Sequence, residues 1–213
     1  MINKRIKAGI KKIHKPDNRL KFCLGTLVLL ACCVMLLIIG TFTQIKINFN
    51  IPDSGILSYL KFEYIPQIPI VLFIAALLGE FWGLLAVLIY IILGLTPWYS
   101  VFALGGGLSY VFQYNFGYIF AFIFAVFFTT QQLKKGKTIL NMLLSVLYGV
   151  CIIHVIGIFY MTVIALLRHD SFDFISNIIY FQSFAKILYD IVFSFLAVLI
   201  AKGSRKLLWI LMN

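Results

Sequence analysis

Six apolar runs take up most of the chain between Phe22 and Ile200, each bounded by charged residues, proline or glycine. They are Phe22–Thr43, Ile65–Leu78, Leu84–Leu95, Leu108–Thr129, Ile139–Leu167 and Ile175–Ile200. About 20 apolar residues in a helix cross the ~30 Å of a bilayer's hydrocarbon. Only 12% of residues are charged and 62% are apolar, too little polar surface for a soluble fold of this size. The fold class expected is therefore all-α, a polytopic membrane protein with six transmembrane helices. Its parts are a basic cytoplasmic segment (1–21), a membrane domain (22–201) and a basic cytoplasmic tail (202–213).

Lysine and arginine fix the orientation, because they concentrate in short cytoplasmic loops. With the N-terminus inside, 14 of the 18 fall on inner segments: eight before Phe22, then Lys134, Lys135 and Lys137, then Lys202, Arg205 and Lys206. The outer loops hold Lys46, Lys61 and Arg168, and Lys186 lies within the last span. The net charge of +11 thus reads as topology and contact with anionic membrane lipids, and no nucleic-acid partner is expected. The first run is too long for a signal-peptide core, and no small-residue cleavage site follows it.

Several patterns carry no chemistry. The four cysteines, Cys23, Cys32, Cys33 and Cys151, sit in apolar runs without metal spacing, so they read as small hydrophobes, and no metal or cofactor is expected. Gly136, Lys137 and Thr138 end like a phosphate loop, but its first glycine would fall on Gln131 and no strand precedes it. Ser109 and His154 would suit an intramembrane hydrolase only if two helices brought them together; His154 otherwise reads as a hydrogen-bonded polar residue in a bundle.

Two features point to a binding site. Thr96–Gly107 is a non-helical stretch with Pro97 and three consecutive glycines, Gly105, Gly106 and Gly107. It reads either as a close turn or as a loop whose backbone polar groups line a cavity. Lys186 lies about 8–11 residues into the last run, with Asp190 one turn further along the same face. A charge near the bilayer centre costs ~2.5–3.5 kcal/mol on insertion scales. It needs a partner, so the two form an ion pair or Lys186 serves an anion site. The segment Gln44–Glu63, with Pro52, Asp53, Ser54 and Gly55, is the longest outer segment and has room for a short surface helix.

The order of motifs from Tyr64 to Phe122 resembles the BioY family, the biotin-specific S components of energy-coupling-factor (ECF) transporters. The matching residues are Pro66 and Pro69, Leu78 and Gly79, Tyr90 and Gly94, Phe102 and Ala103 with Gly105–Gly107, and Gly117 with Tyr118. The family's Gly-Pro-Thr-Gly-Gly-Tyr is Gln113, Tyr114, Asn115, Phe116, Gly117 and Tyr118 here, and its Thr-Leu-Gln is Val71, Leu72 and Phe73. Its Pro-Gly-Asp-Leu-Leu-Lys segment aligns on Lys186, with Ser183 at the acidic position and Phe181 and Gln182 at Pro-Gly.

The resemblance implies an ECF S-component-like bundle with both termini cytoplasmic, in the cell inner (plasma) membrane. It implies a transport subunit rather than an enzyme, one that captures biotin or a related vitamin from the outer side. Its partners would be an ECF transmembrane T component and ATPase subunits. Lys186 would meet a ligand carboxylate, with Asp190, Gly105–Gly107, Gln113, Asn115 and Tyr118 around the pocket. A thiamine or riboflavin S component is the nearest alternative and a Ser/His intramembrane hydrolase a remote one.

Overall fold

The computed structural model describes residues 22–49, 60–103, 105–136 and 138–212. The basic segment 1–21 and the loop residues Pro52, Asp53, Ser54 and Gly55 lie outside the described residues. Helix α1 covers Leu24–Phe42, and strands β1, Ile45–Phe49, and β2, Leu60–Tyr64, follow it. Helix α2 is Gln67–Leu78 and α3 is Glu80–Leu95. A 3-10 turn, Leu108–Phe112, leads into α4, Phe116–Lys135. Helix α5 is Ile139–Leu167, α6 is Phe172–Ile179, and a π-turn at Tyr180–Phe184 precedes α7, Ile187–Met212.

Among the described residues, four segments are long and apolar enough to cross a membrane: Leu24–Phe42, Phe116–Lys135, Ile139–Leu167 and Phe172–Arg205, with α2 and α3 as shorter apolar helices. The fold is a helical membrane bundle, as its sequence implies. The hairpin is an addition. In the segment with room for a short surface helix, β1 and β2 pair antiparallel, Ile45 opposite Tyr64 and Lys46 opposite Glu63; residues 50–59 lie outside the described residues. Both strands alternate apolar and polar residues, Ile-Lys-Ile-Asn-Phe and Leu-Lys-Phe-Glu-Tyr, and that period of two belongs to a strand.

Other boundaries also differ. Gly79 alone makes the α2–α3 turn, at φ 81°, so α3 starts at Glu80, ahead of the apolar run Leu84–Leu95. Only glycine adopts that conformation without strain. The fourth run starts as a 3-10 turn and straightens into α4 only at Phe116. Gln131–Lys135, expected as loop, extends α4, since Gln and Lys are good helix formers and the chain turns at Gly136. The tail through Met212 likewise continues α7.

Helix α2 is the centre of the core. Nine of its 12 residues are buried, among them Val71, Leu72, Ile74 and Ala75, and α7, α4, α3, α1 and α5 all pack on it. A helix apolar on every side is stable only inside such a shell. At 12 residues it spans roughly 18 Å, well short of a bilayer's hydrocarbon.

The two described ends of the chain meet at one end of the bundle. Phe22 stacks on Trp82, Lys134 pairs with Glu80, and Arg205 donates to the Ala76 carbonyl at the close of α2. The hairpin, the glycine-rich segment and the α5–α6 corner form the other end. An even number of passes satisfies this arrangement.

Candidate functional site

The break in the last apolar run sets up the site. A π-turn carries an extra residue per turn, so its side chains leave the register of the helix on either side. Here it covers Tyr180–Phe184 and is closed by the Ala185 N–H on the Tyr180 carbonyl and the Lys186 N–H on the Ser183 carbonyl, both 2.9 Å. Gln182, Ser183, Lys186 and Asp190 are thereby turned toward α4 and α5. Lys186 Nζ donates to Gln182 Oε1 at 3.2 Å.

Between this break, the start of α2 and the start of α4 lies a cavity of about 90 Å³, room for roughly three waters at the ~30 Å³ each takes up in the liquid. Ile65, Ile68, Ala103, Ile119 and Phe122 give it apolar walls. Gln67, Tyr110, Asn115, Tyr118, Gln182, Lys186 and Asp190 give it polar groups. Lys186 and Asp190, which the sequence singles out, share this wall with Asn115 and Tyr118. Gly105, Gly106, Gly107 and Gln113 do not line it.

The glycines act one layer back, where they fold the loop onto α3. Gly105 closes a small bridge with Phe102, and the Gly107 N–H bonds the Gly94 carbonyl at 2.9 Å. A Cβ on Gly106 would sit 2.5 Å from the Tyr99 carbonyl oxygen. This is the close-turn reading of the triplet, and it delivers Ala103 and Tyr110 to the cavity. Gln113 ends the 3-10 turn, its N–H on the Tyr110 carbonyl.

Behind the cavity runs a buried chain of hydrogen bonds. The Tyr64 hydroxyl donates to Asp190 Oδ1 at 2.8 Å. His154 Nε2 lies 3.1 Å from Asp190 Oδ2, and His154 Nδ1 lies 3.0 Å from Ser183 Oγ. Ser183 Oγ is 2.6 Å from the Tyr118 hydroxyl. Asp190 is 2% exposed, Ser183 2% and His154 3%. Asp190 is thus held by Tyr64 and His154. A buried carboxylate with two donors is tolerable; one stripped of a donor costs several kcal/mol. Ser109, the serine considered with His154 as a hydrolase pair, is exposed in the 3-10 turn; the serine on His154 is Ser183.

A family sequence model described as the BioY family matches residues 12–209. The chain belongs to the BioY family. A solved structure, the S-component for biotin from an ECF-type ABC transporter, superposes with a TM-score of 0.66 at 23% identity. The match covers 86% of this chain and 92% of that one, so the two share a fold. No curated protein matches the sequence.

Within the BioY fold, the sequence missed Tyr64, His154 and Ser183 as one unit. Tyr64 and His154 lie on β2 and α5, 126 and 36 positions from Asp190, and nothing local marks them as its partners. Ser183 stood out only as a departure from the family's acidic position. In this BioY protein the acid next to that position is Asp190, reached from Ser183 through the imidazole of His154.

Proposed function

We propose that this chain is the substrate-binding membrane subunit of a vitamin uptake system and that its ligand is biotin. It sits in the cell inner (plasma) membrane with both termini in the cytoplasm, and takes its ligand from the outer side. A transmembrane T component and ATPase subunits then drive release inward. No bond is made or broken by this subunit.

The observation that carries the reading is the cavity wall itself. Lys186 and Asp190 are the charged residues of the last apolar run and border one partly open cavity with Asn115, Tyr118 and Gln67. A structural ion pair would need no cavity. A site for a small carboxylate with a polar head needs a cation, a few fixed hydrogen-bonding groups and apolar walls for the rest. Family membership and the shared fold with a biotin S-component point to the same ligand class. Lys186 meets the valerate carboxylate, and Asp190, Asn115 and Tyr118 contact the remainder. Gly105–Gly107 shape the loop, and Gln113 fixes the entry to α4.

Equilibrium binding of labelled biotin to detergent-purified protein tests this. Saturable binding is expected, with a raised melting temperature, since ligand at 100 times Kd adds about 2.7 kcal/mol to the folded state. A panel with thiamine and riboflavin completes the test. Stabilisation by one of those, without biotin binding, would reassign the ligand.

A further inference from the structure

The connection between α3 and α4 carries no charge. From Phe81 to Leu133 the chain has no Asp, Glu, Lys or Arg. The other two outer connections are charged: 44–63 holds Lys46, Asp53, Lys61 and Glu63, and 168–174 holds Arg168, Asp170 and Asp173. A loop standing in water has no reason to avoid charge, whereas one at membrane depth does.

Its depth follows from the helices on either side. Glu80, the first residue of α3, pairs with Lys134 in the last turn of α4. Such a pair belongs at the inner edge of the hydrocarbon, since charges are costly within it. From there the 16 residues of α3 climb about 24 Å. The path along α4 from Lys134 back to Phe116 climbs about 27 Å. Both ends of the connection therefore stand close to the outer edge of ~30 Å of hydrocarbon.

The segment is built for that depth. The Phe102 and Gly105 N–H groups bond each other's carbonyls at 3.1 Å, Gly107 N–H bonds the Gly94 carbonyl at 2.9 Å, and Tyr110 N–H bonds the Gly107 carbonyl at 3.0 Å. Irregular backbone is tolerated near lipid only when the protein satisfies its polar groups. The side chains divide into two faces. Val101, Phe102 and Tyr110 are buried, and Ala103 and Tyr110 line the cavity. Trp98, Tyr99, Leu108 and Phe112 are 83%, 58%, 75% and 66% exposed. The two halves of this outward face adjoin, since a Cβ on Gly107 would stand 3.9 Å from the Pro97 Cα. Trp and Tyr favour the headgroup layer, where an apolar ring and its polar edge are both satisfied.

We propose that this outward face docks on the phospholipid interface of the outer leaflet, and that the lipid seats the loop that supplies Ala103 and Tyr110 to the cavity. The membrane is thereby a partner of the binding site itself. The inference holds whichever ligand the cavity takes.

Trp98 becomes the sole tryptophan when Trp82→Phe and Trp209→Phe are combined. The full chain in phosphatidylcholine vesicles is then read by fluorescence quenching. Lipids brominated high on the acyl chain should quench Trp98 more than lipids brominated near its end, and iodide in the water should quench it less than free tryptophan. Iodide quenching equal to that of free tryptophan would put the loop in water and overturn the docking. Shielding from both iodide and bromine would mean that protein covers the face, a second copy or another chain, and would overturn it as well. Stronger quenching by the deep bromines would overturn the depth assigned. The seating is read separately, by amide hydrogen exchange in the same vesicles. Trp98→Ser combined with Leu108→Ser should speed exchange at Phe102, Gly105, Gly107 and Tyr110 by about tenfold or more, while α5 keeps its native rates. Native rates at those four amides would overturn the role of the lipid in holding the cavity wall.

Discussion

The hydroxyl of Tyr64, the last residue of the hairpin, donates to the carboxylate of Asp190 on α7 at 2.8 Å, across 126 positions of sequence. It ties the segment between α1 and α2 to α7, which begins one residue after Lys186. The Tyr64 ring also lies against Tyr189 and Phe193, at 6.2 and 5.4 Å between centroids, so the anchor has an apolar and a polar part. Tyr64→Phe keeps the first and removes the second. A hydrogen bond to a charged group contributes about 1.5–3 kcal/mol, and the variant should lose that much stability in detergent, read from its thermal or denaturant midpoint. An unchanged midpoint would mean that His154 alone suffices to hold Asp190.

Lys186 was legible from sequence because a charge in an apolar run needs either a charged neighbour or a bound anion. The same logic found Asp190. The rest of the site was legible only piecemeal: His154 read as a hydrogen-bonded polar residue in the bundle, as it is, but its union with Ser183, Asp190 and Tyr64 comes only from three elements converging. The glycine triplet was legible as an irregular loop, but loop-closing and cavity-lining glycines look alike in sequence. The hairpin is different, since its alternation is plain in Ile45–Phe49 and Leu60–Tyr64. The six-run pattern, by contrast, gave the bundle directly, because segment length against bilayer thickness is a strong constraint.

Replacing the cation should separate charge from shape. Lys186→Ala should weaken biotin at least tenfold, the share of a charge-assisted hydrogen bond. Biotin methyl ester, which has no carboxylate, should bind the native and variant proteins within about threefold of each other. Titration calorimetry on the four combinations provides the coupling directly. Equal losses for acid and ester would place Lys186 in the fold rather than on the ligand.

The position of the Tyr118 ring depends on a neighbour with no side chain. A Cβ on Gly157 of α5 would collide with the Tyr118 ring, and His154 lies edge-on to that ring at 6.0 Å. Gly157→Ala should therefore push Tyr118 out of its bond to Ser183, or force α4 and α5 apart. Overpacking of this kind costs about 1–3 kcal/mol. Biotin affinity should drop along with stability. Gly203→Ala, where a Cβ meets nothing within 4 Å, is the control and should change neither. A Gly157→Ala protein with native affinity would show that the Tyr118 bond is dispensable.

At the cavity end of the bundle, a group of exposed and half-buried contacts ties the 108–115 segment to the α5–α6 corner. Tyr114 donates to Asp170 Oδ2 at 2.6 Å, and the Arg168 guanidinium lies 4.5 Å over the Tyr114 ring. Arg168 also donates to the Phe112 carbonyl at 2.8 Å, and the Tyr160 hydroxyl bonds the Val111 carbonyl. Contacts at such exposed positions contribute little to global stability, about 0–1 kcal/mol for an ion pair. They decide instead how often the segment lifts away, since local opening draws on local contacts. The segment carries Tyr110 and leads into Asn115, both on the cavity wall. Asp170→Asn combined with Tyr114→Phe should leave the melting temperature within about 4 °C of native and raise the association and dissociation rates of biotin together. Stopped-flow measurement of both rates tests this. Unchanged rates would mean that ligand enters by another path, and a large loss of stability would make the contacts part of the core.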